Sequence, residues 1–245
     1  IVQGLKWVLV TSYGYLRFRE FKLGAASSHM AIGAYARELL IDAIRICEEE
    51  GFEVIHGIVD ALYIKKEGIT KKQVDRVCTR ITKETKIPMF NEGLFDWIVF
   101  LPSVNNPEKP VPTRYYGVRD TGKLKLRGIE TRQKGTCRLV KQFQQEVIEH
   151  LAECGGDVNK ALPHLSLLLQ LAVQRIKTSD PENLLCKITI TKTKYAVNNI
   201  QRRLLKQLQH KKILPGMTLY YVFSSRGVIP AGRYTGEPDV GLYRK

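Results

Sequence analysis

The sequence predicts an α+β fold, in which a small antiparallel sheet is backed by helices and followed by a mainly helical region. Residues 52–66 are rich in β-branched and aromatic side chains around one acid, Asp60, a pattern typical of two short strands joined by a tight turn. Residues 115–129 carry a second hairpin pattern, with Gly122 suited to its turn. Residues 137–177 then change to the periodicity of two amphipathic helices.

The first 14 residues predict an apolar helix that ends near Gly14. Lys6 lies one turn before Val10 and two turns before Tyr13, so these three residues share a face. Taken alone, Lys6 is equally consistent with an ordinary solvated lysine.

A second helix is predicted over residues 27–50, with Ser27 and Ser28 offering an N-cap and Gly51 following its end. The acids at residues 48–50 point in different directions, which favours a solvated helix end over a shared metal ion. Its buried stripe is expected to comprise Met30, Tyr35, Leu39, Leu40, Ala43, Ile44 and Cys47.

Asp60 lies at the expected tip of the first hairpin. Because an unpaired carboxylate is costly to bury, Asp60 either faces solvent as an ordinary turn residue or meets a cation. The remaining elements predicted in order are a charged helix over residues 70–86, a strand over 96–101, a Pro-rich turn over 105–112, a strand over 185–191 and a helix over 197–209.

The composition favours a globular protein with a polyanionic partner. At 245 residues the chain can bury a sizeable core in one large domain or two small ones, and its net charge is +15. No apolar run approaches the roughly 20 residues that span a bilayer, so we expect no membrane partner. Five scattered cysteines without a C-x-x-C pair suit a reducing cytoplasm, the expected localisation. The chain does not begin with Met, and we expect a fragment.

Residues 187–236 contain no Asp or Glu, although ten lysines and arginines fall within them. A face that serves only solubility normally mixes both signs of charge. The run therefore favours nucleic-acid phosphate contacts, and an acidic protein partner is the alternative. Tyr195, among the lysines, adds a stacking or hydrogen-bonding group.

In order and spacing, several segments resemble motifs of the family B DNA polymerases. Lys6, Tyr13 and Gly14 match the fingers motif K-x3-N-S-x-Y-G, and the hairpin at residues 52–66 resembles the palm motif Y-x-D-T-D-S. Arg-Tyr-x-Gly and Arg-Gly-Ile-Glu, within residues 114–130, resemble the stretch that leads into the thumb. The resemblance covers nearly the whole chain.

The palm motif departs from the family pattern. His56 stands in place of its Tyr, Ile58 in place of its first acid and Ala61 in place of its Ser, so that only Asp60 remains. The family's earlier acidic motif, D-x-x-S-L-Y-P, is absent from this chain. The pattern resembles a divergent archaeal branch whose palm motif is eroded, often described as inactivated.

The resemblance implies an antiparallel palm sheet backed by helices and a mainly helical thumb. The expected ranges are 1–20 for the end of the fingers helix, 21–130 for the palm and 131–245 for the thumb, which we expect to be truncated. A second polymerase subunit is a further expected partner.

The resemblance also implies roles for individual residues. Asp60 is the expected catalytic and Mg²⁺-binding residue, and Lys6, Tyr13 and Gly14 are expected to bind a deoxynucleoside triphosphate. Together with the acid-free run, the resemblance predicts primer–template DNA contacts at Arg114, Tyr115, Arg127, Lys187, Lys192, Lys194, Tyr195, Arg202 and Arg203.

Two function classes remain open at this point. The first is part of a DNA-directed DNA polymerase acting in replication or repair, whose missing acid lies upstream or on a partner subunit. The second is a non-catalytic nucleic-acid-binding scaffold of a replication complex, and a reverse-transcriptase-like palm is a distant third. Because Ile58 offers no oxygen to a metal, we expect nucleotidyl transfer to be weak or lost.

Overall fold

The computed structural model describes residues 2–209 and 211–243, which fall into two compact units, Ile1–Leu94 and Phe95–Lys245. The first unit contains α1 (Val2–Leu16), α2 (Ala26–Glu49), β1 (Glu53–Ile58), β2 (Ala61–Lys65) and α3 (Lys71–Thr85). The second contains β3 (Phe95–Pro102), β4 (Pro110–Arg119), β5 (Leu124–Arg127), α4 (Arg138–Glu153), α5 (Val158–Thr178), β6 (Cys186–Thr189), α6 (Ile200–Gln207), β7 (Thr218–Ser224), β8 (Gly227–Pro230) and α7 (Val240–Tyr243).

The strands form three small antiparallel sheets, ordered β1-β2, β3-β4-β5 and β6-β7-β8. This mixture of helices and antiparallel sheets confirms the predicted α+β class. The boundary between the two units, after Leu94, coincides with none of the predicted fingers, palm and thumb limits, and those ranges stay a prediction. Within residues 2–209 and 211–243, no helix is long and apolar enough to cross a membrane.

In the first unit, the β1–β2 hairpin packs against α2 and α3. α3 begins at a capping box, in which the Thr70 hydroxyl accepts from the Gln73 N–H and the Gln73 side chain accepts from the Thr70 N–H. It ends at Thr85, with Lys86 as its C-cap. The predicted charged helix over residues 70–86 is therefore confirmed. The shared core comprises Ala43, Ile46, Cys47, Phe52, Val77 and Ile81.

The first half of α2 differs from its prediction. The helix starts at Ala26 with Ala25 as its N-cap, so Ser27 and Ser28 lie inside the helix and do not cap it. Met30 and Tyr35 are 67% and 75% exposed, against the expectation that both are buried. The physical reason is that the core shared with the hairpin and α3 draws only on the C-terminal half of α2.

The second unit is built around two sheets and the helix pair α4 and α5. Gly155 and Gly156 join the helices, both at positive φ, and a Cβ at Gly156 would lie 2.9 Å from the Trp97 ring. Only glycine fits there without a shift of the indole. Pro110 belongs to β4, so the predicted Pro-rich turn is shorter than residues 105–112.

The C-terminal region holds more sheet than its sequence predicts. Of the third sheet, only β6 was expected, and β7 and β8 were missed. α6 is also shorter than predicted, because Asn199 caps it by accepting a hydrogen bond from the Arg202 N–H at 2.9 Å. The core beneath contains Cys137, Leu139, Ile176, Leu184, Cys186, Leu204, Tyr221, Val222, Val228 and Tyr243.

Candidate functional site

The first candidate site is the tip of the β1–β2 hairpin. Ile58 pairs with Ala61, which leaves Val59 and Asp60 as a two-residue turn, as predicted. Both turn residues are exposed, and Val59 has a φ of 53°. A β-branched side chain in this left-handed region is strained, because its branched Cβ crowds the backbone.

The hairpin has one face on the core and one face away from it. Val54, Leu62 and Ile64 pack against the α2–α3 core. Side chains alternate along β2, and a register shift between Val54 and His56 on β1 keeps the pairing in step, so the cross-strand pairs His56–Tyr63 and Ile58–Ala61 lie on the opposite face. These four residues therefore lie on one side of the hairpin, near Asp60. Three of them, His56, Ile58 and Ala61, stand at positions of the resembled palm motif.

The donor set at this tip is poor in oxygen ligands. The side chains of Ile58 and Ala61 have no lone pair to offer a metal, which leaves the Asp60 carboxylate as the side-chain oxygen ligand at the tip. Across residues 2–209 and 211–243, no three His, Cys, Asp or Glu residues are grouped so that they could hold a metal ion. A two-metal magnesium centre needs several oxygens held in place, and the described residues of this chain do not supply that set.

His56 occupies the position of the palm-motif tyrosine. Its ring stacks on Tyr63 with 5.9 Å between centroids and 21° between planes. Burial lowers the pKa of the His56 imidazole, because desolvation disfavours its charged form. His56 therefore adds an uncharged ring to this face at neutral pH.

The acids at the end of α2 are engaged elsewhere. Arg80 on α3 donates to Glu50 at 3.0 Å and to Glu84 at 2.8 Å, and it also pairs with Glu49. Glu49 and Glu50 at the end of α2 are therefore held in ion pairs with α3.

The predicted nucleotide-binding residues lie on α1, which has no buried residue between Val2 and Leu16. Lys6 and Gly14 are exposed. Tyr13 stacks on His29 with 4.2 Å between ring centroids, and the His29 Nδ1 lies 3.1 Å from the Tyr13 carbonyl oxygen. Lys6 and Gly14 are thus open to solvent, whereas one face of the Tyr13 ring is covered by α2.

The segment that resembles the approach to the thumb is built around an ion pair. Arg114 on β4 donates to the Glu130 carboxylate at 2.5 Å and to the Gly128 carbonyl at 3.1 Å. Gln144 on α4 donates to the other Glu130 oxygen at 2.7 Å. A Cβ at Gly128, whose φ is 65°, would lie 2.1 Å from the Thr113 carbonyl oxygen, so this position requires glycine.

Of the three DNA contacts predicted in this region, the structure changes the interpretation of two. Tyr115 is only 2% exposed and packs on Phe100, so its ring belongs to the sheet core and a DNA contact through it is not retained. Arg114 forms an ion pair with Glu130, a role that sequence reasoning missed because the two residues are 16 positions apart. Arg127 is exposed.

The second candidate site is the acid-free segment, residues 187–236. Its folded part includes β6, α6, β7 and β8. Lys187, Lys192, Lys194 and Arg203 are exposed. Arg202 is half-buried, and its guanidinium donates to the Ala196 carbonyl at 2.6 Å.

The loop between β6 and α6 is held by the Tyr195 hydroxyl. The phenol oxygen accepts from the backbone N–H groups of Thr191 and Lys192, at 2.8 and 3.0 Å, and lies 3.1 Å from the Thr191 hydroxyl. Desolvation alone would raise the pKa of the Tyr195 phenol. The hydrogen bonds and the Lys192 charge outweigh it, so the pKa lies below its ordinary value. Tyr195 therefore fixes the loop that presents Lys192 and Lys194.

Comparison with curated proteins relates the chain to DNA polymerases, although no protein-family model matches it. The chain is 31% identical over 160 residues to DNA polymerase 2 of Saccharolobus solfataricus, a match to 64% of this chain and 24% of that protein. It is 31% identical over 147 residues to the DNA polymerase of Archaeoglobus fulgidus, covering 60% of this chain and 18% of that protein. The chain thus spans about a quarter or less of these relatives' length.

A solved structure shares the fold. It is the family B DNA polymerase from the hyperthermophilic archaeon Pyrobaculum calidifontis, with a TM-score of 0.60 and 22% identity. The match covers 95% of this chain and 30% of that one. The chain is thus similar in sequence to archaeal DNA polymerases, and it shares the fold of part of a family B DNA polymerase.

Proposed function

We propose that this chain is the DNA-binding palm–thumb segment of a family B DNA-directed DNA polymerase acting in replication or repair. One observation carries the proposal: Lys187, Lys192, Lys194 and Arg203 are exposed within a folded segment that contains no acidic residue. Such a surface attracts a polyanion, because the segment has no carboxylates of its own to compete for the lysines and arginines. The curated relatives, which are DNA polymerases, support DNA as that polyanion.

The binding step follows from these side chains. Each lysine or arginine that contacts a phosphate releases a condensed counterion, which favours binding without any preference for base sequence. The Tyr195 hydroxyl holds the loop bearing Lys192 and Lys194, so these ammonium groups are presented with less loss of backbone entropy. Arg127 on β5 adds an exposed guanidinium to the same unit.

The proposal also includes weak or absent nucleotidyl transfer. Magnesium bound at the hairpin would neutralise the triphosphate and activate the primer hydroxyl in a polymerase of this family. In this chain Asp60 is the residue available to hold it, and Ile58, on the open face beside Asp60, supplies no bridging oxygen. Lys6 and Gly14, exposed on α1, are the residues proposed to face the triphosphate.

A non-catalytic scaffold is the second candidate, and Ile58 is the observation that favours it. Such a scaffold would keep the basic surface and bind DNA beside a second, catalytic polymerase subunit. A primer-extension assay distinguishes the two candidates. It uses a fusion protein in which a segment with an intact D-x-x-S-L-Y-P motif is joined to this chain. Slow magnesium-dependent extension supports the enzyme, and its absence with DNA binding intact supports the scaffold.

The experiment that tests the shared DNA-binding proposal is a fluorescence anisotropy titration. Two duplexes of unrelated sequence and one primer–template should bind with affinities within about threefold of one another, since phosphate contacts carry no sequence information. Unlabelled polyglutamate of matched charge should compete poorly. Competition by polyglutamate as effective as that by duplex would favour an acidic protein partner and contradict the proposal.

A further inference from the structure

Two buried thiols meet in the core of the second unit. Cys137 is the N-cap of α4 and Cys186 is the first residue of β6, and they are 1% and 6% exposed. The backbone holds the two segments together, because the Lys187 N–H donates to the Gly135 carbonyl at 3.1 Å. Cys137 and Cys186 belong to the same buried cluster, and their thiols lie close enough to affect each other's pKa.

The two sulfurs have different acidity. The neighbouring Cys186 thiol lowers the pKa of the Cys137 thiol to about 7, although burial raises it, and the N–H groups of Leu139 and Val140 lower it as well. The Cys186 thiol is the largest of these influences, and together they favour a thiolate at Cys137. The Cys137 thiol and burial raise the pKa of Cys186, so Cys186 keeps its proton.

We propose that Cys137 and Cys186 are a redox pair that closes to an intrachain disulfide in the presence of a small-molecule disulfide. The Cys137 thiolate attacks one sulfur of the reagent, whose S–S bond breaks and releases one small thiolate. Cys186 then loses its proton to solvent and attacks the Cys137 sulfur, which releases the second small thiolate. The two protein thiols lose two electrons in total, and the reagent is reduced to two thiols.

Access to the pair requires only local opening. Residues 132–134, just before Cys137, are exposed, and Cys137 itself precedes the first turn of α4. Helix ends open with a smaller free energy than the whole fold. Opening at this end would admit the reagent to Cys137 while β6 stays paired with β7.

A second pair in the chain provides an internal comparison. Cys78 on α3 lies near enough to Cys47 on α2 to raise the pKa of the Cys47 thiol. Burial raises the pKa of Cys47 to about 11 and also raises that of Cys78. Neither thiol has a charge-stabilising partner comparable to the one at Cys137, so this pair should stay reduced under the same conditions.

The test is oxidation of the full native chain with oxidised glutathione, followed by alkylation of the remaining thiols and peptide mapping without reductant. The expected product is one linked peptide containing Cys137 and Cys186, reversed by dithiothreitol, while Cys47, Cys78 and Cys154 are alkylated. Because the cross-link closes a long loop, the unfolding midpoint should rise by about 5–10 °C. Cys137→Ala and Cys186→Ala should each abolish the rise, and Cys154→Ala should retain it.

Peptide mapping of the oxidised wild-type chain tests the proposal even if either alanine variant fails to fold. Recovery of both thiols in alkylated form after exhaustive oxidation would overturn the proposal. So would a Cys47–Cys78 link that forms first, or a Cys137–Cys186 link that forms only in denaturant.

Discussion

The phenol oxygen of Tyr195 lies 3.0 Å from the backbone nitrogen of Lys192 and accepts its hydrogen bond. The same oxygen accepts from the Thr191 N–H at 2.8 Å. An aromatic residue that is expected to stack on a base therefore has its polar end committed to its own loop. The proposed DNA affinity therefore depends on a residue whose hydroxyl orders its own loop.

Tyr195→Phe should loosen this loop without changing charge. We expect the unfolding free energy to fall by about 1 kcal/mol, the usual net contribution of a hydrogen bond, and DNA affinity to fall about two- to fivefold because Lys192 and Lys194 must be ordered on binding. Thermal unfolding and anisotropy titration measure the two effects. Tyr35→Phe, at an exposed position of α2, is the matched control and should change neither. Unchanged DNA affinity in Tyr195→Phe would refute the positioning role.

Val59→Gly should stabilise the hairpin. Relief of the left-handed strain at a φ of 53° is worth about 1–2 kcal/mol, partly offset by the greater flexibility of glycine in the unfolded chain. The expected net gain in unfolding free energy is up to about 1 kcal/mol. The matched control is Val104→Gly, because Val104 is 89% exposed and lies outside the positive-φ region. Denaturant unfolding that finds Val59→Gly less stable than wild type would contradict the assigned strain.

Ile58→Asp should create a magnesium-dependent stability that the wild type lacks. Two carboxylates side by side at the tip repel each other, which raises the pKa of one of them and lowers stability in the absence of a cation. Magnesium should restore stability by RT ln(1 + [Mg²⁺]/Kd), about 2.7 kcal/mol at a hundredfold excess over Kd. Ile58→Asn is the control, with a similar side chain and no added charge.

Thermal unfolding of wild type and both variants, with and without magnesium, measures this prediction. The wild type and Ile58→Asn should show little response to the ion, and Ile58→Asp a clear one. A wild-type chain already stabilised by magnesium would mean that Asp60 has oxygen partners that the proposal omits.

Local signals in the sequence were sufficient where one short stretch determined the structure. The tip of the first hairpin was located correctly because β-branched strands flank it closely on both sides. α3 was located correctly from its charged helical pattern, and its first turn is held by the Thr70–Gln73 capping box. The two helices predicted over residues 137–177 were found as α4 and α5, which Gly155 and Gly156 separate. In each case the residues that determine the conformation are neighbours in sequence.

Features that depend on distant residues were missed. Tyr221 and Val222 are adjacent in β7 and both buried, so this strand lacks the alternation that predicts one from sequence. The Arg114–Glu130 ion pair and the burial of Tyr115 arise from the pairing of β4 with β3 and β5. The exposure of Met30 and Tyr35 depends on how far the hairpin and α3 extend along α2, which no pattern within α2 encodes.

The salt dependence of DNA binding tests the central claim, that the acid-free segment binds phosphates, most directly. About five to eight contacts predict that log K falls against log salt with a slope of roughly −4 to −7. Lys187→Ala, Lys192→Ala, Lys194→Ala and Arg203→Ala should each reduce the slope by about one and weaken all duplexes alike, whereas Lys83→Ala on α3 should not. Affinity that stays constant between low and moderate salt, or a variant that changes sequence preference without changing the slope, would contradict the account.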